Sequence, residues 1–193
     1  MELIYSQPKF KACNEPFNLR NPNVSKYLGT SNWDDLYSMK FKNSFFNFFD
    51  DIIQRKVKFL NPNPFRINYK LFSSRIVFKI LHAGEDKIEQ IDNKFNSNII
   101  FLLRHPLAVT TSRKVLPRLN TFLNSDFKNN LSNKQLQYAL QIANSNNFLK
   151  KGVLSWCIQN HALLKSLKSN YILITYEQMV TEPEVIIKYL AQK

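Results

Sequence analysis

The sequence predicts an α/β fold in which a three-layer parallel sheet is covered by helices on both faces. Two short apolar runs rich in β-branched and aromatic residues, residues 75–81 and 98–103, are typical of buried parallel strands. A charged segment with helical periodicity, residues 85–95, separates them, which predicts a βαβ unit. A third apolar run lies at residues 171–176. Strands that alternate with helices favour one parallel sheet.

The N-terminal half contributes a connecting segment and a helical region. Residues 1–23 are polar and contain three prolines, which predicts a short helix, a brief extended segment and a loop. In residues 33–60 aromatic and aliphatic side chains recur at three- and four-residue spacing, which predicts an amphipathic helical region whose aromatics form core. The Asn-Pro-Asn-Pro run at residues 61–64 ends this region, because proline lacks an amide donor and restricts the preceding residue.

The C-terminal half contributes three further helices. Residues 149–167 have an amphipathic pattern, and the polar stretch 120–147 favours a helix near residues 134–143. A last helix begins after Glu182-Pro183, because proline suits the first helical turn. The sequence shows no internal repeat and no domain boundary, so we expect residues 1–193 to form a single domain.

The composition limits the class of protein. Lys and Arg number 27 against 14 Asp and Glu, and the net charge of +13 favours a polyanionic partner: nucleic acid, an anionic membrane surface or a phosphate-rich cofactor. The lysines are scattered, so a solvated basic surface is the alternative. The apolar stretches are too short to span a membrane, and no export signal is visible. Cys13 and Cys157 lack metal-site or disulfide spacing, so we expect a cytoplasmic protein without a metal.

The glycines restrict how a phosphate could be bound. Gly29, Gly84 and Gly152 stand far apart, so neither a GxxxxGK[ST] loop nor a GxGxxG turn can form. Any phosphate site must therefore use side chains and helix ends.

Polar residues at the carboxyl ends of the predicted strands are the first candidates, because ligands of open parallel sheets bind there. Arg104 directly follows the strand at residues 98–103, and Ser112 lies two turns along the helix that begins near Pro106. An arginine fork and a hydroxyl can together hold a phosphate. The alternative is that Arg104 forms a surface ion pair and that Ser112 is an ordinary helix residue.

The stretch Leu102-Leu103-Arg104-His105-Pro106, with Ser112 eight positions after the arginine, resembles the 3′-phosphate-binding motif of sulfotransferases that use 3′-phosphoadenosine-5′-phosphosulfate. Tyr176-Glu177, followed by Pro183, is similar to a later family block whose tyrosine approaches the nucleotide base. Residues 7–17, with Glu15-Pro16, are similar to the stretch after the family's first helix. The resemblance spans residues 1–192, with weaker matches between these blocks, and implies a fold like that of P-loop nucleoside triphosphate hydrolases.

This resemblance implies a reaction and a set of binding residues. The reaction is transfer of a sulfuryl group from 3′-phosphoadenosine-5′-phosphosulfate, the co-substrate, to a hydroxyl or amine acceptor, without a metal. The implied cofactor-binding residues are Arg104, Ser112 and Tyr176. The family's 5′-phosphosulfate loop, of the form PxSGTT, is not found in the sequence, so the resemblance implies an N-terminally truncated domain with an exposed sheet edge and little turnover.

The catalytic base has two candidates. Glu15 matches a position where some branches of the family use a glutamate, and its alternative is a loop carboxylate that caps or pairs with Arg20. His82 follows a strand end where relatives carry a catalytic histidine, although the closely spaced Lys-x-His of those relatives is absent. Lys79, inside an apolar strand, either reaches the site or forms a structural ion pair.

A second class of function is a non-catalytic basic module that binds nucleic acid or another polyanion. It rests on the charge and the abundant aromatics. The sequence has no clustered basic stripe and no RRM, KH or helix-turn-helix pattern, which favours a nucleotide co-substrate over nucleic acid.

Overall fold

The structure, a computed structural model, describes residue 4 and residues 10–57, 75–113 and 117–192. The chain packs as two compact units, residues 1–84 and 85–193. The proline stop predicted at residues 61–64 lies outside the described residues, as do residues 1–3 and 5–9 of the opening segment. Among the described residues, no helix is long and apolar enough to cross a membrane.

The first unit contains two strands that pair in parallel, β1 (Phe10–Asn14) and β2 (Arg75–Lys79), with Asn14 opposite Lys79. Its described helices include α1 (Pro22–Leu28), a 3₁₀ turn (Trp33–Tyr37) and α2 (Phe41–Ile53). The predicted helical region at residues 33–60 is therefore interrupted at residues 38–40, where the chain leaves the 3₁₀ turn and enters α2.

Aromatic rings form the core of this unit. Phe17 stacks on Phe45 with ring centroids 4.3 Å apart, and Phe49 of α2 stacks on Phe78 of β2 at the same distance. The side chains of Phe45 and Phe48 are fully buried. Such pairs add to the free energy of burial because their quadrupoles are complementary. The prediction that these aromatics form core is confirmed.

The second unit is built around β3 (Ile100–Leu103) and β4 (Ile172–Thr175), which pair in parallel with Leu103 opposite Thr175. Its helices among the described residues are α3 (Ile88–Phe95), α4 (Pro106–Ser112), α5 (Pro117–Asn124), a 3₁₀ turn (Asp126–Asn130), α6 (Asn133–Ala143), α7 (Phe148–Lys165), α8 (Tyr176–Thr181) and α9 (Pro183–Ala191). The strands and helices predicted for this half occur within a few residues of their expected bounds.

One prediction concerns strand pairing. The sequence predicts β2 and β3 as strands of one βαβ unit; among the described residues, β2 pairs with β1 and β3 pairs with β4. An apolar run shows that a strand is buried but not which strand lies beside it, because partner and register depend on contacts distant in sequence. The α/β class is confirmed in a coarser form, as two small parallel sheets in the part of the chain that the structure describes.

Candidate functional site

Arg104 and Tyr176 meet at the carboxyl edge of β3 and β4. Because Leu103 lies opposite Thr175 in the parallel register, the residues that follow each strand are also neighbours. The guanidinium carbon of Arg104 lies 4.8 Å from the centroid of the Tyr176 ring, which is a cation–π contact. Both side chains are exposed. The structure thus brings together two of the three predicted cofactor-binding residues.

A hydrogen bond between the segments that follow the two strands supports this edge. The backbone N–H of His105 donates to Oε1 of Glu177 at 3.0 Å. Donation from His105 is the main reason that the pKa of Glu177 lies below its usual value, and the charge of Arg104 is a smaller one. An ionised Glu177 therefore holds the start of the α4 segment next to α8.

A capping box sets the position of Tyr176 as the first residue of α8. The hydroxyl of Thr175 accepts a hydrogen bond from the backbone N–H of Gln178 at 3.1 Å. In return, the side-chain Oε1 of Gln178 accepts one from the backbone N–H of Thr175. This reciprocal pairing is a strong helix-start signal. The chain therefore turns directly from β4 into α8, and the tyrosine remains at the sheet edge.

Ser112, the third predicted cofactor-binding residue, lies at the far end of α4. Its hydroxyl donates to the backbone carbonyl of Val109 at 2.9 Å, and it makes no hydrogen bond with Arg104 or Tyr176 among the described residues. It lies six positions after Pro106, a rise of about 9 Å along a helix. The side chain is exposed.

Gly152 allows α4 to pack closely on α7. A Cβ atom at this position would lie 2.1 Å from Cγ2 of the buried Thr110, far inside van der Waals contact. Glycine is therefore required where the two helices meet, and the segment that carries Arg104 is anchored through α4. The available sequence signal was a glycine inside the predicted helix at residues 149–167, which often marks a close packing contact.

Glu15, the first candidate for the catalytic base, follows β1 with a positive φ of 50°. Its Oε1 lies 3.2 Å from Nζ of Lys79, and its Oε2 accepts a hydrogen bond from the Asn18 amide at 3.3 Å. Lys79, and not Arg20, is therefore the cation that pairs with Glu15 among the described residues. The parallel register places Lys79 opposite Asn14 and hence beside Glu15, and this pairing is not visible in the sequence. Lys79 thus forms an ion pair, and its partner is the candidate base Glu15.

His82, the second candidate for the base, lies beyond the end of β2. Its ring centroid is 4.6 Å from that of Trp33, with the planes inclined by 52°. The backbone N–H of the next residue, Ala83, donates to the hydroxyl of the buried Tyr37 at 3.1 Å, which anchors the segment. Glu15 and His82 both belong to the first unit.

A buried charged cluster in the second unit was missed by the sequence reasoning. Arg118 and Glu85 are 6% and 5% exposed, and Nη1 of Arg118 lies 3.1 Å from Oε1 of Glu85. The Gln159 amide also donates to this oxygen, at 3.5 Å. Burial and the nearby charge of Arg118 lower the pKa of Arg113, which follows Ser112. Residues this far apart in sequence have no spacing that reveals their contact.

In the part of the chain that the structure describes, no group of three or more His, Cys, Asp or Glu side chains is placed to hold a metal ion. In comparisons with protein-family models, with curated proteins and with solved structures, nothing matches this chain. The function is therefore argued from the residues themselves.

Proposed function

We propose that the carboxyl edge of β3 and β4 is the nucleotide site of a sulfotransferase-like protein that binds 3′-phosphoadenosine-5′-phosphosulfate. In this proposal Arg104 binds the 3′-phosphate and Tyr176 contacts the base. The observation that carries it is the stacking of the Arg104 guanidinium on the Tyr176 ring at 4.8 Å. The proposal also includes the three-layer sheet of that family as the fold of this chain.

The surroundings of Arg104 suit an anion. Its guanidinium makes no hydrogen bond or ion pair with any described residue, so its N–H edge is open to solvent. Glu177, a carboxylate close enough for its pKa to be lowered by the charge of Arg104, is engaged by the backbone of His105. An oriented but unpaired guanidinium can form the forked charge-assisted hydrogen bonds that phosphate accepts.

Tyr176 suits a nucleotide base. Arg104 covers one part of the ring, yet the side chain remains 43% exposed. Aromatic rings stack on bases with little dependence on sequence. The same pair of residues thus offers one group for the phosphate and one for the base, as this co-substrate requires.

The proposed reaction transfers a sulfuryl group to a hydroxyl or amine acceptor. The bond from sulfur to the leaving phosphate oxygen breaks, a bond from sulfur to the acceptor oxygen or nitrogen forms, and the acceptor proton passes to a base. Glu15 and His82 are the predicted bases. Glu15→Gln and His82→Asn, assayed for turnover with a panel of hydroxyl and amine acceptors, test these two roles.

Titration calorimetry with adenosine 3′,5′-bisphosphate, the product nucleotide, tests the site. We expect saturable binding that Arg104→Ala weakens by about 10-fold or more, because a charge-assisted hydrogen bond is lost. The matched control is Arg75→Ala, which removes an exposed arginine that lies over the Phe10 ring at 5.4 Å in the first unit and should leave binding unchanged. Equal affinity of the Arg104→Ala and wild-type proteins would overturn the assignment.

The same titration distinguishes the other class of function. Binding of arbitrary oligonucleotides that weakens steeply with salt, without preference for the bisphosphate, would favour a basic module for polyanions.

A further inference from the structure

The first turn of α7 presents two large apolar side chains to solvent. Phe148 and Leu149, the first two residues of this helix, are 44% and 48% exposed. Phe148 makes no ring contact with a described residue. Single exposed apolar residues are ordinary, whereas neighbouring ones form a patch of the kind that meets another apolar phase. The described part of the fold does not cover this patch.

Two lysines complete the same turn. Lys150 is exposed and Lys151 is half-buried, and neither makes an ion pair or a side-chain hydrogen bond with a described residue. Cations near the N-terminus of a helix are disfavoured by its dipole, so these lysines do not serve to stabilise α7. The long apolar stem of a lysine can lie along an apolar surface while its charge stays in a polar layer. Apolar and positive side chains are thus combined within one helical turn.

The sequence around this turn is positively charged throughout. Residues 127–176 contain six lysines and neither aspartate nor glutamate. This charge suits a negatively charged partner, and the exposed apolar side chains show which kind of partner fits. A bilayer with anionic lipids has hydrocarbon directly beneath its negative surface, whereas nucleic acid presents charge without hydrocarbon.

The turn is held in place before any partner binds. Oδ1 of Asn147, the N-cap residue, accepts a hydrogen bond from the backbone N–H of Lys150 at 2.9 Å. The next turn is fixed by the close packing of Gly152 on the buried Thr110 of α4. Because the backbone is already ordered, binding through these side chains costs little conformational entropy.

We infer that residues 148–151 bind the surface of an anionic lipid bilayer. Phe148 and Leu149 enter the boundary between headgroups and acyl chains, and Lys150 and Lys151 lie against the anionic headgroups. The association is peripheral and reversible, because two apolar side chains and two charges are too few for a stable anchor. It does not involve the carboxyl edge of β3 and β4, so it does not rest on the proposed function.

Co-sedimentation of the full chain with lipid vesicles tests this inference. We expect saturable binding to vesicles of equimolar phosphatidylserine and phosphatidylcholine, much weaker binding to phosphatidylcholine alone, and loss of affinity as salt is added. The double variant Phe148→Ser with Leu149→Ser should lower the affinity by about 10-fold or more, because both apolar side chains are lost. Lys150→Gln should lower it by about 5-fold.

Matched variants in α9 control for the loss of any apolar side chain or any charge. Ile187→Ser removes an apolar side chain that is 44% exposed, as Phe148 is, and should leave vesicle binding unchanged. Lys188→Gln removes an exposed lysine of the same helix and should change the affinity much less than Lys150→Gln does. Circular dichroism would show that each variant is folded. All of these variants should bind adenosine 3′,5′-bisphosphate as wild type does, so the two proposals fail independently.

A fluorescent probe separates insertion from simple adsorption of a basic protein. In Phe148→Trp, with Trp33→Phe and Trp156→Phe, the single tryptophan should shift its emission to the blue on anionic vesicles and be quenched by brominated acyl chains. The inference is overturned if the probe shows neither change, or if Phe148→Ser with Leu149→Ser binds vesicles as wild type does. A dimer that Phe148→Ser dissociates, without vesicle binding by wild type, would overturn it in favour of a second copy on this turn.

Discussion

The backbone N–H of His105 donates a hydrogen bond to the carboxylate of Glu177, 72 residues further along the chain. This bond joins the segments that follow β3 and β4, one residue beyond the contact between Arg104 and Tyr176. A single carboxylate thus holds together the edge at which we place the nucleotide.

Removing this charge should change how stability depends on pH. The folded state lowers the pKa of Glu177, so the stabilisation is complete above the unfolded pKa of about 4.3 and is lost as the pH falls through the lower, folded pKa. Glu177→Gln should therefore be less stable than wild type near neutral pH, and the difference should shrink in acid. Urea unfolding of both proteins, near neutral pH and in acid, measures this difference in stability.

The control for this experiment is Glu184→Gln, which removes an exposed carboxylate of α9 without a side-chain hydrogen bond among the described residues. It should preserve the pH dependence of wild type. A Glu177→Gln protein whose deficit persists unchanged in acid would show that ionisation of this group is not the cause.

Gly152→Ala should destabilise the second unit by about 1–3 kcal/mol, because the new Cβ would lie 2.1 Å from Thr110 Cγ2 and force α4 away from α7. The sign of the change in stability is decisive, because alanine would stabilise an unconstrained helix by about 1 kcal/mol relative to glycine. Urea unfolding followed by the fluorescence of Trp156 in α7, in a Trp33→Phe background, measures the change. A gain in stability would refute the close contact.

The aromatic core of the first unit should dominate its stability. Phe45→Ala should cost about 3–5 kcal/mol, because it empties a fully buried site stacked on Phe17. Asn47→Ala, on the exposed side of the same helix, should change stability by less than about 0.5 kcal/mol. Urea unfolding followed by Trp33, with Trp156 replaced by Phe, reports on this unit. Equal effects of the two variants on stability would contradict the placement of Phe45 in the core.

The two thiols should differ in reactivity. Burial raises the pKa of both thiols, that of the buried Cys13 to about 12, while Cys157 lies exposed in α7. Because the thiolate is the nucleophile, a thiol reagent near pH 8 should label one equivalent quickly and the second only on unfolding. Cys157→Ser should remove the fast phase and Cys13→Ser should leave it. Two fast equivalents in the native protein would contradict the burial of Cys13.

Local pattern predicted most of the elements and the position of Arg104 at a strand end, whereas the role of Tyr176 came from the family resemblance. An apolar run such as residues 98–103 predicts a strand, and the polar residues that follow its end are candidates for a binding site. The capping residues around Thr175 act within three positions, so their effect is local. These features depend on neighbours in sequence.

The partners in strand pairs and ion pairs could not be predicted, because they depend on contacts between residues that are distant in sequence. The pairing of β1 with β2 sets Lys79 against Glu15, and the pair of Arg118 with Glu85 bridges 33 positions. Ser112 lies at the right spacing from Arg104, yet its hydroxyl bonds within its own helix. Spacing fixes the order of residues along a helix but not which of them converge on one ligand.

The claim that Arg104 binds the 3′-phosphate is tested most directly by its discrimination between two nucleotides. Dissociation constants for adenosine 3′,5′-bisphosphate and adenosine 5′-monophosphate should be measured for wild type and Arg104→Ala. We predict that wild type prefers the bisphosphate by about 10-fold or more and that the variant loses this preference. A variant that keeps the full preference, or a wild type that has none, would contradict the account.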